Sequence, residues 1–215
     1  MSDILLLFFH KNAEKKQRKR RILFLVRFFD FFSLLCYNNS VMNVQDKNIV
    51  LIGMPCSGKS TVGPLIAKTI GYGFIDSDIA IQTSENALLA EIIAKEGQDG
   101  FLQIENRVNV SLSEGNRCVI STGGSVVYCD EAMEWLKESG VVVYLKVSFS
   151  EIARRLGNIL LSRGVIIKKG ESLCDLYAER TPLYEKYADF TVDCEGQTVE
   201  ETVHTVCRLV KERIS

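Results

Sequence analysis

Residues 53–60 read Gly-Met-Pro-Cys-Ser-Gly-Lys-Ser and fill every fixed position of the pattern G-x-x-x-x-G-K-[ST]. That octapeptide constrains the fold more than any other stretch, because it works only between a buried strand and the first turn of a helix. Both neighbours are present. Upstream, 48–53 read Asn-Ile-Val-Leu-Ile-Gly, a short apolar run ending in glycine, as expected for a strand covered on both faces of a parallel sheet. Downstream, Val62, Leu65, Ile66 and Ile70 recur at helical spacing over 59–70, and Gly71 supplies the stop. A loop so placed curls its N–H groups around phosphate oxygens, and the helix N-terminus adds positive potential. Gly53, Cys56, Ser57, Gly58, Lys59, Ser60 and Thr61 are therefore the expected nucleotide-binding residues. Lys59 would neutralise the β and γ phosphates and Ser60 would offer its hydroxyl to Mg²⁺, making ATP and Mg²⁺ the expected cofactors.

The pattern repeats in coarser form. Further strands are expected at 74–75, 118–122, 141–147 and 190–192, and helices around 88–96, 101–113, 130–138, 151–156 and 199–213. Such alternation predicts an α/β fold of three layers, with helices on both faces of a mainly five-stranded parallel sheet. At 215 residues the chain suits one domain with a sizeable core. Its 26 Lys plus Arg against 27 Asp plus Glu leave no basic excess to attract nucleic acid. Seven cysteines, odd in number and without metal-binding spacing, fit reduced thiols rather than a disulfide framework. The expected partner is a small-molecule hydroxyl acceptor, met by a cytoplasmic monomer whose core touches no membrane.

Residues 1–41 differ from the rest. An apolar start is followed by a basic run over 11–21 and a second apolar run over 22–37 interrupted by Arg27 and Asp30. That run is short and charged for a span, which wants about 20 apolar residues, and no small-residue cleavage site follows it. Three readings stand: an upstream stretch outside the native product with Met42 as the start, a peripheral anchor, or a signal anchor. The domain that carries the phosphate loop is assigned to 42–215.

Sixteen residues beyond Ser60, the run Phe74-Ile75-Asp76-Ser77-Asp78 ends in two carboxylates at i and i+2. At the carboxyl edge of a parallel sheet they would lie beside the phosphate loop, one for the metal shell and one to orient or deprotonate an attacking hydroxyl. Asp is also a favoured N-cap, so the pair equally fits the start of a helix. At 120–125, Ile-Ser-Thr-Gly-Gly-Ser ends another strand with paired glycines, which brings backbone close to a ligand at the same edge.

With these residues in view, the chain resembles the shikimate kinase family: GMPCSGKSTVG, FIDSDIAI, STGG, a lid-like stretch over 155–164 and ERTPLYEKYAD follow in the family's order and approximate spacing. The resemblance implies a mobile lid and transfer of the γ-phosphoryl group of MgATP to a ring hydroxyl. It implies that Asp76 serves the Mg²⁺ shell, Asp78 meets the accepting hydroxyl and Gly123 and Gly124 line the acceptor site. It also implies that Arg163 reaches the transferring phosphate from the lid, Arg180 contacts the acceptor and Arg155 stacks on the adenine. Taken singly, Arg163 and Arg180 would read as surface residues. The match breaks where the family carries Phe-Arg-x-x-Glu and uses the arginine on the acceptor's carboxylate: here the segment is Phe101-Leu102-Gln103-Ile104-Glu105. Loss of such a charge-assisted bond costs about 1.5 to 3 kcal/mol, roughly ten-fold to over a hundred-fold in affinity. Ser125 replaces a third glycine. Other acceptors, or a nucleotide-binding module without catalysis, are the alternatives these changes leave open.

Overall fold

The computed structural model describes residues 47–114, 116–156 and 170–214. The leader over 1–41, Arg163 and all but the first two residues of the lid-like stretch over 155–164 lie outside the described residues.

Five strands form one wholly parallel sheet: β1 (Asn48–Ile52), β2 (Gly73–Asp76), β3 (Cys118–Ser121), β4 (Gly140–Lys146) and β5 (Phe190–Asp193), in the order β2-β3-β1-β4-β5. β1 lies at the centre, Val50 pairing with Ile120 of β3 on one side and Val142 of β4 on the other. Its Ile49, Val50, Leu51 and Ile52 are fully buried, which is why this segment reads as an unbroken apolar run instead of an alternating one. Burial of each such side chain contributes roughly 1.5 to 3 kcal/mol.

The helices are α1 (Lys59–Ile70), α2 (Ser77–Glu85), α3 (Leu89–Ser113), α4 (Asp130–Ser139), α5 (Phe149–Leu156), α6 (Leu173–Tyr187) and α7 (Val199–Ile214), with a 3₁₀ turn at Val126–Tyr128. From β1 the chain steps outward to β2 on one side, and from β3 it crosses to β4 on the other. Right-handed crossovers therefore place α1 and α4 on opposite faces of the sheet. α1 packs against α7 and α3 against α4, completing the layers. The direction in which the chain steps across the sheet reverses at β1, so the loop after it opens where parallel sheets bind ligands.

The stretches expected at 88–96 and 101–113 are present as two helical runs, which α3 joins across a break at Gly97, whose φ of 72° and ψ of −178° are not helical. Two other helical details depart from expectation. α2 was not expected as a helix of its own; it starts because Asp76 Oδ1 accepts from the Asp78 and Ile79 amides at 3.0 and 3.4 Å. α6 was also not expected, since Pro182 sits inside it, and its start is fixed by Ser172 Oγ accepting from Asp175 N–H while Asp175 accepts from Ser172 N–H.

Candidate active site

β1 delivers the chain to Gly53, where a β-carbon would stand 2.8 Å from the Leu145 carbonyl oxygen, so only glycine fits the turn. Met54 O accepts from Ser57 N–H at 3.1 Å, Cys56 takes a φ of 63°, and Gly58, at φ 104°, starts α1. Its carbonyl accepts from the Thr61 and Val62 amides at 2.8 and 2.9 Å. No acid lies in the first turn of α1, so the helix itself does not offset the positive potential of its N-terminus. The Lys59 ammonium bridges the loop, donating to Gly53 O at 2.7 Å and Met54 O at 3.0 Å. Burial lowers its pKa to about 8, against the pull of Asp78 and Asp76.

This loop forms one wall of a cavity of about 720 Å³. Cys56, Ser57, Gly58, Lys59, Ser60, Thr61 and Arg155 line it on the loop side; Gly53 does not, and serves by making the turn possible. Asp76, Asp78, Gly123, Gly124 and Arg180 line it as well. The sequence-derived residues within the described chain thus meet at one place, apart from Gly53 just behind it.

Asp76 and Asp78 flank the entry to α2. The capping bonds of Asp76 use one oxygen, Oδ1, so the two readings of the pair are compatible: Asp76 both caps a helix and faces the cavity. Burial, reinforced by Asp76, raises the Asp78 pKa to about 6, and Lys59 opposes the shift. Among the described residues no group of three or more His, Cys, Asp or Glu could hold a metal. Ser60 and Asp76 offer hard oxygen donors, which suits Mg²⁺, an ion bound by one or two carboxylates together with phosphates and water.

At the other wall, Thr122 donates to Leu51 O through both its N–H and its hydroxyl, at 3.2 and 2.9 Å. The Gly123 amide donates to Ser77 Oγ at 2.9 Å, and Gly124 O accepts from the Tyr184 hydroxyl at 2.5 Å. A β-carbon on Gly123 would meet Glu105 Oε1 at 2.3 Å and Asp78 Oδ1 at 3.0 Å. Gly123→Ala is therefore expected to displace both carboxylates, lowering stability by about 1 to 3 kcal/mol and raising the acceptor KM. The thermal midpoint and steady-state kinetics check this.

Arg180 is 1 % exposed. Its Nε donates to the Tyr128 hydroxyl at 3.3 Å, its guanidinium carbon stands 5.2 Å from that ring's centre, and Nη1 lies 3.2 Å from where a β-carbon on Gly124 would be. Leu102 is partly buried against the core and does not line the cavity, although Phe101 does. Arg107 is no substitute for an arginine at 102: it is exposed and ion-paired with Glu85 at 2.7 Å. At the far end of the cavity Arg155 donates to Cys56 O at 3.1 Å and to Glu151 at 2.7 Å, beside Gln197, Val199 and Thr202.

Glu105 is the residue that sequence reading left without a role. It is fully buried, and neither oxygen has a hydrogen bond of good geometry among the described residues. Burial raises its pKa to about 7; Asp78 adds to the rise, while the Ser125 hydroxyl, Arg180 and Lys59 oppose it. Its signal was present in the helical spacing, because Phe101, Glu105, Val108 and Leu112 form one buried stripe of α3 with a single acid in it.

A family model described as "Shikimate kinase" matches residues 55–211. A shikimate kinase of Thermodesulfovibrio yellowstonii is 39 % identical over 163 residues, 75 % of this chain and 94 % of that protein. One from Synechococcus sp. is 37 % identical over 156 residues, 72 % of this chain and 79 % of that one. Among solved structures, shikimate kinase from Acinetobacter baumannii in complex with shikimate superposes with a TM-score of 0.72 at 30 % identity, covering 78 % of this chain and 94 % of that chain. Shikimate kinase from Aquifex aeolicus gives 0.66 at 33 % identity, covering 77 % and 96 %.

Proposed function

This chain belongs to the shikimate kinase family, and we infer that it transfers the γ-phosphoryl group of ATP to a hydroxyl of shikimate. The observation that carries the reading is convergence: Lys59 at the loop, Asp78 at the middle and Arg180 at the far wall face one cavity. A protein that only bound nucleotide would need neither of the last two.

The loop amides and Lys59 hold the β and γ phosphates, offering stronger partners than the loop carbonyls that Lys59 now meets. Ser60 and Asp76 would hold Mg²⁺, which would supply charge neutralisation at the transferring group. Arg155, beside the base end of the cavity, stacks on the adenine. Asp78 accepts the hydrogen bond of the acceptor hydroxyl and takes its proton as the new P–O bond forms and the bond to ADP breaks. Gly123 and Gly124 admit the ring against backbone, and Arg180 fixes the acceptor's carboxylate. One chain supplies all these groups, which supports a monomer as the working unit. The free cysteines suit a reducing compartment such as the cytoplasm. Among the described residues no helix is long and apolar enough to cross a membrane.

The test is steady-state ADP formation with shikimate against a panel of other small hydroxylated metabolites. Shikimate is expected to stimulate ADP release well above the rest; equal stimulation by a polyol without a carboxylate would overturn the choice of acceptor. Arg180→Lys is expected to raise the shikimate KM about ten- to hundred-fold, the forked donor being lost, while the ATP KM stays within about two-fold.

A further inference from the structure

Among the described residues, the acceptor end of the cavity has an unbalanced set of charges. Asp78 from α2 and Glu105 from α3 point their Oδ1 and Oε1 atoms at the same spot over Gly123, while Arg180 from α6 stands on the other side of the glycine pair. Lys59 from α1 lies across the cavity, where bound phosphate would engage it. The Ser125 hydroxyl and the Cys129 thiol complete the surroundings of Glu105. Asn109, one turn on, bonds the Glu105 backbone carbonyl at 2.8 Å and not its carboxylate. With both acids ionised and Lys59 on phosphate, two negative charges face the guanidinium of Arg180, and an entering carboxylate would be repelled.

We propose that Glu105 is a specificity-determining residue of the acceptor site: it carries a proton whenever a carboxylate acceptor is bound, and that uptake lets Arg180 hold the anion against two neighbouring acids. Glu105, and not Asp78, is the proton holder on geometric grounds. Asp78 lines the cavity and must be ionised to receive the acceptor's proton, whereas Glu105 sits behind Gly123, fully buried, with neither oxygen in a good hydrogen bond to make its charge tolerable. Leu102 sharpens the requirement, since it adds no charge beside Glu105.

This inference rests on shikimate being the acceptor, and the experiment separates the two. The full chain, saturated with ADP and Mg²⁺ so that Lys59 is engaged, is titrated calorimetrically with shikimate at about pH 8 in two buffers of different protonation enthalpy. Uptake approaching one proton per shikimate is expected, together with a shikimate KM that rises about ten-fold per pH unit above pH 7 while the ATP KM does not follow. Glu105→Gln, a neutral isostere, is expected to abolish the uptake and flatten the KM profile. Shikimate binding without proton uptake, or uptake that persists in Glu105→Gln, would overturn the proposal and leave the kinase reading intact. Absence of both binding and turnover at every pH would overturn the choice of shikimate and this inference together. If the variant fails to fold, proton uptake and KM slope of the native chain decide.

Discussion

Lys59→Met is expected to cut kcat by about 100- to 1,000-fold or more, the loss typical of one preorganised donor aimed at charge that develops in a transition state. The methionine side chain keeps an unbranched stem, slightly shorter than that of lysine, and removes the charge. Because Lys59 is 7 % exposed and its pKa is pulled down by burial, the folded chain already bears a desolvation cost for that ammonium. Its removal should leave the thermal midpoint unchanged or slightly raised, although the bonds to Gly53 O and Met54 O are lost. A collapse in kcat at constant stability thus separates electrostatic stabilisation from a mere structural role. Turnover within a few-fold of the native chain would show that the loop amides alone carry the phosphates.

Asp78→Asn should lower kcat by about 100- to 10,000-fold, the range for loss of a positioned general base. Asparagine keeps the size and a hydrogen-bond acceptor, so the hydroxyl can still be oriented but its proton has no anionic destination. The first turn of α2 should survive, since Asp76 supplies its cap and Asp78 contributes only its backbone amide to that bond. Shikimate KM should change by no more than about three-fold, or fall, because one of the acids opposing the acceptor's carboxylate disappears. Kinetics at fixed pH and a thermal melt are enough to read this. Unchanged turnover would remove Asp78 from proton transfer and leave it a positioning role.

What the sequence made legible was whatever local chemistry determines. The phosphate loop was readable because glycines at 53 and 58 and the lysine at 59 must stand at fixed separations around a phosphate. β1 and β4 were readable because strands buried on both faces carry continuous apolar runs. α6 escaped because Pro182 interrupts the interior of the helix and a single apolar face is poorly marked. α2 was legible only at its start, where an aspartate suits the N-cap; its body escaped because only Ser77 and Ile81 are buried and no apolar stripe marks it. Least legible was the meeting of Glu105, Asp78 and Arg180 around Gly123 and Gly124. They lie on three helices, α2 and α3 in succession and α6 far along the chain, and the strand order, which places β3 between β2 and β1, brings them together. The arginine at 180 could be suspected from its motif, but its burial against Tyr128 depends on packing that no local pattern encodes.

The most direct measurement of the central claim is a ³¹P NMR time course of the full chain with MgATP and shikimate. The account predicts a new phosphate monoester resonance that grows in step with ADP, with no more free phosphate than in a control lacking protein. ADP accompanied only by inorganic phosphate, or ATP that stays intact while shikimate is present, would contradict it.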